Sequence, residues 1–195
     1  KAAEYLRYLE QEMAHLAPLF AGRTVTQLHW GGGTPTYLNA DEIRQLMAML
    51  RRHFHFADAG EISIEVDPRE IELSLLDVLQ EVGFNRLSLG VQDFDKSVQV
   101  AVNRVQDNDF IRALLMRAKA LGFRSTNLDL IYGLPLQTRA SFRHTLEQVV
   151  RTEPARLSIF NYAHLPSRFA GQHKIKDETL PPPAEKLAIL QETIE

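Results

Sequence analysis

Glu61-Ile62-Ser63-Ile64-Glu65-Val66 alternates polar and apolar side chains with period two, the pattern of a β-strand with one buried face. Its apolar parity is Ile62, Ile64 and Val66; its polar parity carries Ser63 and Glu65, and Pro68 closes it. The split recurs downstream. Arg86-Leu87-Ser88-Leu89-Gly90-Val91 sets three apolar residues against Ser88, Gly90 and Gln92. Ser125 to Ile131 sets Leu128 and Leu130 against Asn127 and Asp129. Val25 to Trp30 and Arg156 to Phe160 read as two further strands.

Helical periodicity fills the intervals. A helix is expected over Ala2 to Leu19, with Tyr5, Leu6, Leu9, Met13 and Leu16 as its apolar stripe. Others run from about Asp41 (stripe Ile43, Leu46, Met47, Leu50), over Leu73 to Val82 before Gly83, and over Phe110 to Leu121 before Gly122. The last two cover Arg139 to Arg151 and Pro183 to Glu195, and Arg168 to Pro183 reads as loop. Strands alternating with helices at this spacing give a parallel α/β sheet. An open doubly wound sheet and a barrel both fit. Doubly wound strands, buried on both faces, read as continuous apolar runs. Here one face is polar on three strands, which favours a barrel or partial barrel around a polar site. A complete barrel has eight units in about 250 residues, so five strands leave it incomplete.

Composition sets wider bounds. The 195 residues are 45% hydrophobic and 24% charged, with a formal charge of −3, as expected of one soluble globular domain. No apolar run approaches the roughly 18 to 20 residues of a membrane span, and the balanced charge gives no reason to expect nucleic acid. With no cysteine, the chain has no thiolate nucleophile, zinc finger or self-contained iron–sulfur site. It begins at Lys1 and ends within an expected helix, so residues 1–195 read as one domain of a longer chain, truncated at both ends.

Ligands of parallel βα folds sit at the C-terminal ends of the strands. Those ends carry Gly31-Gly32-Gly33-Thr34-Pro35, Glu65 to Pro68, Gly90-Val91-Gln92, Asp129 with Tyr132-Gly133, and Asn161 to His164. The set suits a small polar ligand bearing an amine, a carboxylate and hydroxyls. The glycines form neither a dinucleotide fingerprint nor a P-loop. Glu65, on the inner parity, needs a cation, an amine or water, or else a structural salt bridge to Arg86 or Arg104. Asp129 poses the same question. Gln92 either presents a donor and an acceptor to a ligand or fixes a loop. Arg104 reads on its own as a surface arginine and His29 as a satisfied core histidine. His53 and His55 read as solvated at a helix end. No metal-ligand spacing occurs among the seven histidines, and His164 is the one to mutate first.

His29-Trp-Gly-Gly-Gly-Thr-Pro35, Glu61-Ile-Ser-Ile-Glu-Val-Asp-Pro-Arg69, Arg86-Leu-Ser-Leu-Gly-Val-Gln92, Asn103-Arg104, Asn127 to Pro135 and Asn161 to Pro166 together closely resemble the radical S-adenosylmethionine core of the oxygen-independent coproporphyrinogen III oxidases. The resemblance implies a partial (β/α)6 TIM-like barrel of the radical SAM type, with strands 2 to 6 present. It implies a [4Fe–4S] cluster ligated by cysteines outside this chain, with no metal ligand inside it. The implied reaction is oxidative decarboxylation of coproporphyrinogen III to protoporphyrinogen IX in haem biosynthesis, by a 5′-deoxyadenosyl radical from reductive cleavage of S-adenosylmethionine. Position by position, the resemblance implies that Gly32, Gly33, Thr34, Glu65, Gln92, Arg104, Asp129 and Ala163, which match family residues contacting the cofactor, contact S-adenosylmethionine, of which this family has been described with two molecules. The implied partners are a tetrapyrrole substrate and a flavodoxin-like or ferredoxin-like electron donor, in the cytoplasm, with no nucleic acid or membrane. A haem chaperone of the same superfamily is the alternative, although Val66-Asp-Pro-Arg-Glu70 looks more like the oxidase. The chain alone is expected to be inactive and, with an open sheet edge, poorly soluble.

Overall fold

The computed structural model describes residues 1–194. Five strands form one sheet in sequence order: β1 (Thr24–Trp30), β2 (His55–Val66), β3 (Arg86–Gln92), β4 (Ser125–Tyr132) and β5 (Arg156–Asn161). The chain divides into two compact units, Lys1–Ser88 with Met116–Ser125, and Leu89–Leu115 with the residues from Thr126 onward. Burial follows the parity expected from sequence. Ile62, Ile64, Val66, Leu87, Leu89, Val91, Leu128 and Leu130 are buried, while Ser63, Glu65, Ser88, Gly90, Gln92, Asn127 and Asp129 are half-buried.

In the first unit, helix α1 is Ala2–Leu16, three residues shorter than the periodicity suggests, followed by a 3-10 turn over Ala17–Phe20. Pro18 has no N–H to continue the ladder, which ends the α-helix before it. Leu6 and Met13 of the expected stripe are buried, whereas Tyr5 and Leu16 are exposed. Helix α2 (Ala40–His53) opens on a capping box, in which Glu42 N donates to Asn39 Oδ1 at 3.0 Å and Asn39 N to Glu42 Oε2 at 2.9 Å.

β2 begins at His55, six residues before the expected strand, so His55 lies in a strand and not at a helix end. Thr24 and Val25 pair with His55 and Phe56, and the parallel register then shifts so that Gln27 meets Glu61. Gly60 serves the irregularity: a Cβ there would lie 3.1 Å from the Ala57 carbonyl oxygen. Trp30 meets Phe84 edge-on at 4.9 Å, closing the core beneath the end of β1. Helix α3 (Ser74–Glu81) is tied to α2 by Arg44 and Glu81 at 2.8 Å.

In the second unit, helix α4 (Lys96–Ala101) is too short to produce a readable period. It is set by Asp95, whose Oδ1 accepts from Ser97 N at 2.8 Å and Val98 N at 3.1 Å. Helix α5 is Asn108–Ala120, and α6 (Arg139–Thr152) opens on a Thr138–Ser141 capping box. β4 and β5 pair in parallel, with Asp129 opposite Ser158. The expected loop over residues 168–183 contains two 3-10 turns, Ala170–Lys174 and Asp177–Thr179. Helix α7 (Pro183–Ile194) docks on α6 through Glu192, which pairs with Arg139 and Arg143. The final residue of that expected helix, Glu195, lies outside the described residues. Among the described residues no helix is long and apolar enough to cross a membrane.

Candidate functional site

Strand ends carry the candidate residues in both units. In the first, β1 stops at Trp30 and the chain turns through Gly31, Gly32 and Gly33. Gly32 has φ +103°, a conformation that side chains strain to adopt. Its amide donates to Glu65 Oε2 at 3.3 Å. The other carboxylate oxygen, Oε1, is 3.2 Å from His29 Nε2, and His29 Nδ1 is 2.8 Å from Ser63 Oγ. Thr34 leads into a 3-10 turn at Pro35–Tyr37.

Two expectations from sequence fail in this unit. Arg86 pairs with Glu61, on the same strand as Glu65 but four residues earlier, so it is not the partner of Glu65. Nor is His29 a core histidine. Its side chain is 54% exposed, because it shares the polar face of the sheet with Ser63 and Glu65.

In the second unit, Gln92 ends β3 with φ +69°. Arg104 is not a solvated surface residue: its Nη2 donates to the Gly90 carbonyl at 2.8 Å, and its Nε is buried. A Cβ on Gly90 would lie 3.1 Å from both Arg104 Nη2 and Gln92 Nε2. The missing side chain is therefore what lets an amide and a guanidinium gather over one strand position. On β4, Asn127 Nδ2 donates to Asp129 Oδ1 at 2.7 Å, while Asn127 Oδ1 accepts from Ser158 Oγ at 3.2 Å. Beyond β5, the Ala163 carbonyl accepts from Gln172 Nε2 at 3.1 Å, while Gln172 Oε1 accepts from Leu165 N at 2.6 Å. His164 Nδ1 is 3.2 Å from Tyr162 Oη, and burial pushes the Tyr162 phenol up. Asp177 Oδ1 lies 3.0 Å from His164 Nε2 without the alignment of a hydrogen bond.

A buried polar cluster supports these loops and went unread in the sequence. Asp93 is 1% exposed and accepts from Thr145 Oγ1 (2.5 Å), Gln137 Nε2 (2.5 Å) and Asp95 N (2.7 Å). Burial raises its pKa, against the opposing influence of those donors. Gln137 Oε1 accepts from Gly133 N at 2.6 Å and Leu134 N at 3.2 Å, binding the loop after β4 to the loop after β3. Gln106 Nε2 adds bonds to the carbonyls of Val91 (2.6 Å) and Asp93 (3.2 Å). The only sequence signal was the run of uncharged polar residues near strand ends, which is common in loops.

Parallel strands alternating with helices, and a sheet face that carries glycines and polar side chains at the strand ends, define an α/β protein. The radical SAM superfamily model matches residues 3–149, and the chain belongs to that superfamily. It is 65% identical over 194 residues to the oxygen-independent coproporphyrinogen III oxidase of Escherichia coli and 49% identical over 198 residues to that of Pseudomonas aeruginosa. All of this chain is covered in both, but it spans only 42% and 43% of those relatives. The solved structure of the E. coli coproporphyrinogen III oxidase, a radical SAM enzyme, matches with TM-score 0.97 over 100% of this chain and 45% of that one. Methylornithine synthase, at 15% identity, matches in fold alone, with TM-score 0.63 over 94% of this chain and 52% of its own. The expected fold class, the α/β radical SAM type, is borne out.

Membership implies S-adenosylmethionine and a [4Fe–4S] cluster. The chain has no cysteine, and no metal-holding group of His, Asp and Glu occurs among the described residues, so its own side chains do not fit a cluster. They do fit S-adenosylmethionine. A Cβ on Gly32 or Gly33 would meet nothing within 4 Å, so the loop leaves room for a ligand, and Glu65, Arg104, Gln92 and Asp129 are of the kinds that bind an ammonium, a carboxylate and hydroxyls.

Proposed function

We propose that the protein carrying this chain is an oxygen-independent coproporphyrinogen III oxidase, and that the strand-end residues described above hold S-adenosylmethionine. Identity of 65% across the whole chain supports the first part. The observation carrying the second is the Glu65 carboxylate, fixed by the Gly32 amide and His29 yet 45% exposed. When bound, the cofactor supplies hydrogen-atom abstraction after one-electron reduction.

This chain's residues bind and orient. In the first unit, Glu65 accepts from the methionyl ammonium, and Gly32, Gly33 and Thr34 offer close backbone approach. In the second, Arg104 supplies a guanidinium for a carboxylate. Gln92 and Asp129 bond ribose hydroxyls, and the Ala163 backbone, pinned by Gln172, contacts S-adenosylmethionine as well, the residues belonging to one bound molecule or divided between two. The substrate is a tetrapyrrole, decarboxylated at two propionates, with a flavodoxin-like or ferredoxin-like reductant in the cytoplasm.

Anaerobic assay of the intact protein tests the reading. Turnover of coproporphyrinogen III that depends on S-adenosylmethionine is the expected result, and stable haem binding without turnover would overturn it. Glu65→Ala is expected to weaken S-adenosylmethionine binding at least tenfold, about the worth of one hydrogen bond to a charged group. The same titration reads whether one or two molecules bind.

A further inference from the structure

We propose that His29 is a positioning residue for Glu65, locking its carboxylate in the orientation that receives the ammonium of S-adenosylmethionine; the proposal rests on the reading of Glu65 given above. Parallel pairing of β1 and β2 sets His29 opposite Ser63, two residues before Glu65, so all three side chains share one face of the sheet. The imidazole is held at both ends, at 2.8 Å by Ser63 Oγ and at 3.2 Å by Glu65 Oε1.

Proton counting settles its orientation. An ionised carboxylate only accepts, so Nε2 carries a proton and donates to Oε1. Ser63 Oγ also lies 3.2 Å from the Leu28 carbonyl. If the hydroxyl donates to Nδ1, the ring is the neutral Nε2–H tautomer. If it donates to Leu28, Nδ1 donates to the hydroxyl oxygen and the ring is an imidazolium. Either state aims Nε2–H at Glu65. With Gly32 N on Oε2, each carboxylate oxygen has one donor from the protein and keeps lone pairs for a ligand.

Gly31 is the independent witness. It has no positive φ, so no backbone conformation demands glycine there. A Cβ at that position would fall 2.7 Å from His29 Nε2 and 2.9 Å from Glu65 Oε1. The residue is bare where the histidine and the carboxylate meet. With more than half of its side chain exposed, His29 adds little to the core, and its bonds serve the carboxylate.

A double-mutant cycle on the anaerobically reconstituted intact protein, read by equilibrium binding of S-adenosylmethionine, tests this. His29→Ala is expected to weaken binding about tenfold, the scale of one charge-assisted hydrogen bond. In a Glu65→Gln background the same change is expected to cost nothing further. His29→Gln, which retains a donor, is expected to recover most of the affinity. Additive losses, or an unchanged His29→Ala affinity beside a weakened Glu65→Gln, would overturn the proposal alone. An unchanged Glu65→Gln affinity would overturn the reading of Glu65 and the proposal with it.

Discussion

The Gln137 carboxamide bridges two strand-end loops, donating through Nε2 to Asp93 Oδ2 at 2.5 Å and accepting through Oε1 from Gly133 N at 2.6 Å. Gln137 is 2% exposed and Asp93 1%, so neither end of the bridge can exchange its partner for water. The loop after β3 leads out of Gln92, and the loop after β4 lies beyond Asp129. Their spacing is fixed by one side chain whose donor and acceptor are both committed.

Asp93→Asn should therefore destabilise the protein by about 1–3 kcal/mol, the cost of leaving a buried donor unsatisfied. The new amide must face either Gln137 Nε2 or the Thr145 and Asp95 donors. Gln137 cannot turn over, because its oxygen already serves Gly133 and Leu134. Urea denaturation of the intact protein checks this, and an unchanged midpoint would show that the loops are held otherwise.

The glycine run makes a graded prediction. Gly33→Ala meets nothing within 4 Å and needs no unusual φ, so stability should stay within about 0.5 kcal/mol. Gly32→Ala meets nothing either, but its φ of +103° should cost about 1–2 kcal/mol. Gly31→Ala should act chiefly on S-adenosylmethionine binding, by wedging His29 from Glu65. Thermal melts beside binding isotherms separate the three.

Gly90→Ala places a methyl 3.1 Å from both Arg104 Nη2 and Gln92 Nε2. Both are ends of flexible side chains, so they can give by a few tenths of an ångström. A stability loss under about 1 kcal/mol is expected, with a several-fold loss of cofactor affinity as the two groups spread. Equal losses in both measurements would mean that the strand itself moved.

Docking of α7 on α6 should weaken in acid. Hydrogen bonds from Arg143 and then Arg139 lower the Glu192 pKa from 4.5 to about 2. A carboxyl with a depressed folded pKa stabilises fully above its unfolded value, and that contribution fades as pH falls from about 4.5 to about 2. Asp93 has the opposite sign. Its raised pKa means the folded state keeps the proton longer, so stability is lost as pH rises from about 3.8, the unfolded value, through the higher folded one. Amide exchange in α7, compared near pH 3 and near pH 6, should show faster opening in acid, and Glu192→Gln should show fast opening at both.

Much of the fold was legible because period and parity are local. The split on Glu61–Val66 told both where the strand lay and which face met the helices, and the burial of Ile62 and Ile64 follows it. Reading failed where chain ends and pairing compete with pattern. His55 to Gly60 has no clean alternation, and becomes strand only because Thr24 and Val25 lie alongside. Helix α4 is a single capped turn and a half, below the length at which a stripe repeats. The motif residues at the strand ends could be named from sequence, but not their partners. Glu65 could have met Arg86 by spacing alone; register gave it His29 and Gly32.

By itself, then, the sequence determined the order of elements, the polar face of the sheet and the superfamily, all written in residues close along the chain. Tertiary structure alone decided which groups face each other: His29 with Glu65, 36 residues apart, and Asp93 with Gln137, 44 apart. Hydrogen-bond geometry depends on strand register and loop closure to within a few tenths of an ångström, and spacing along a chain carries no such distance.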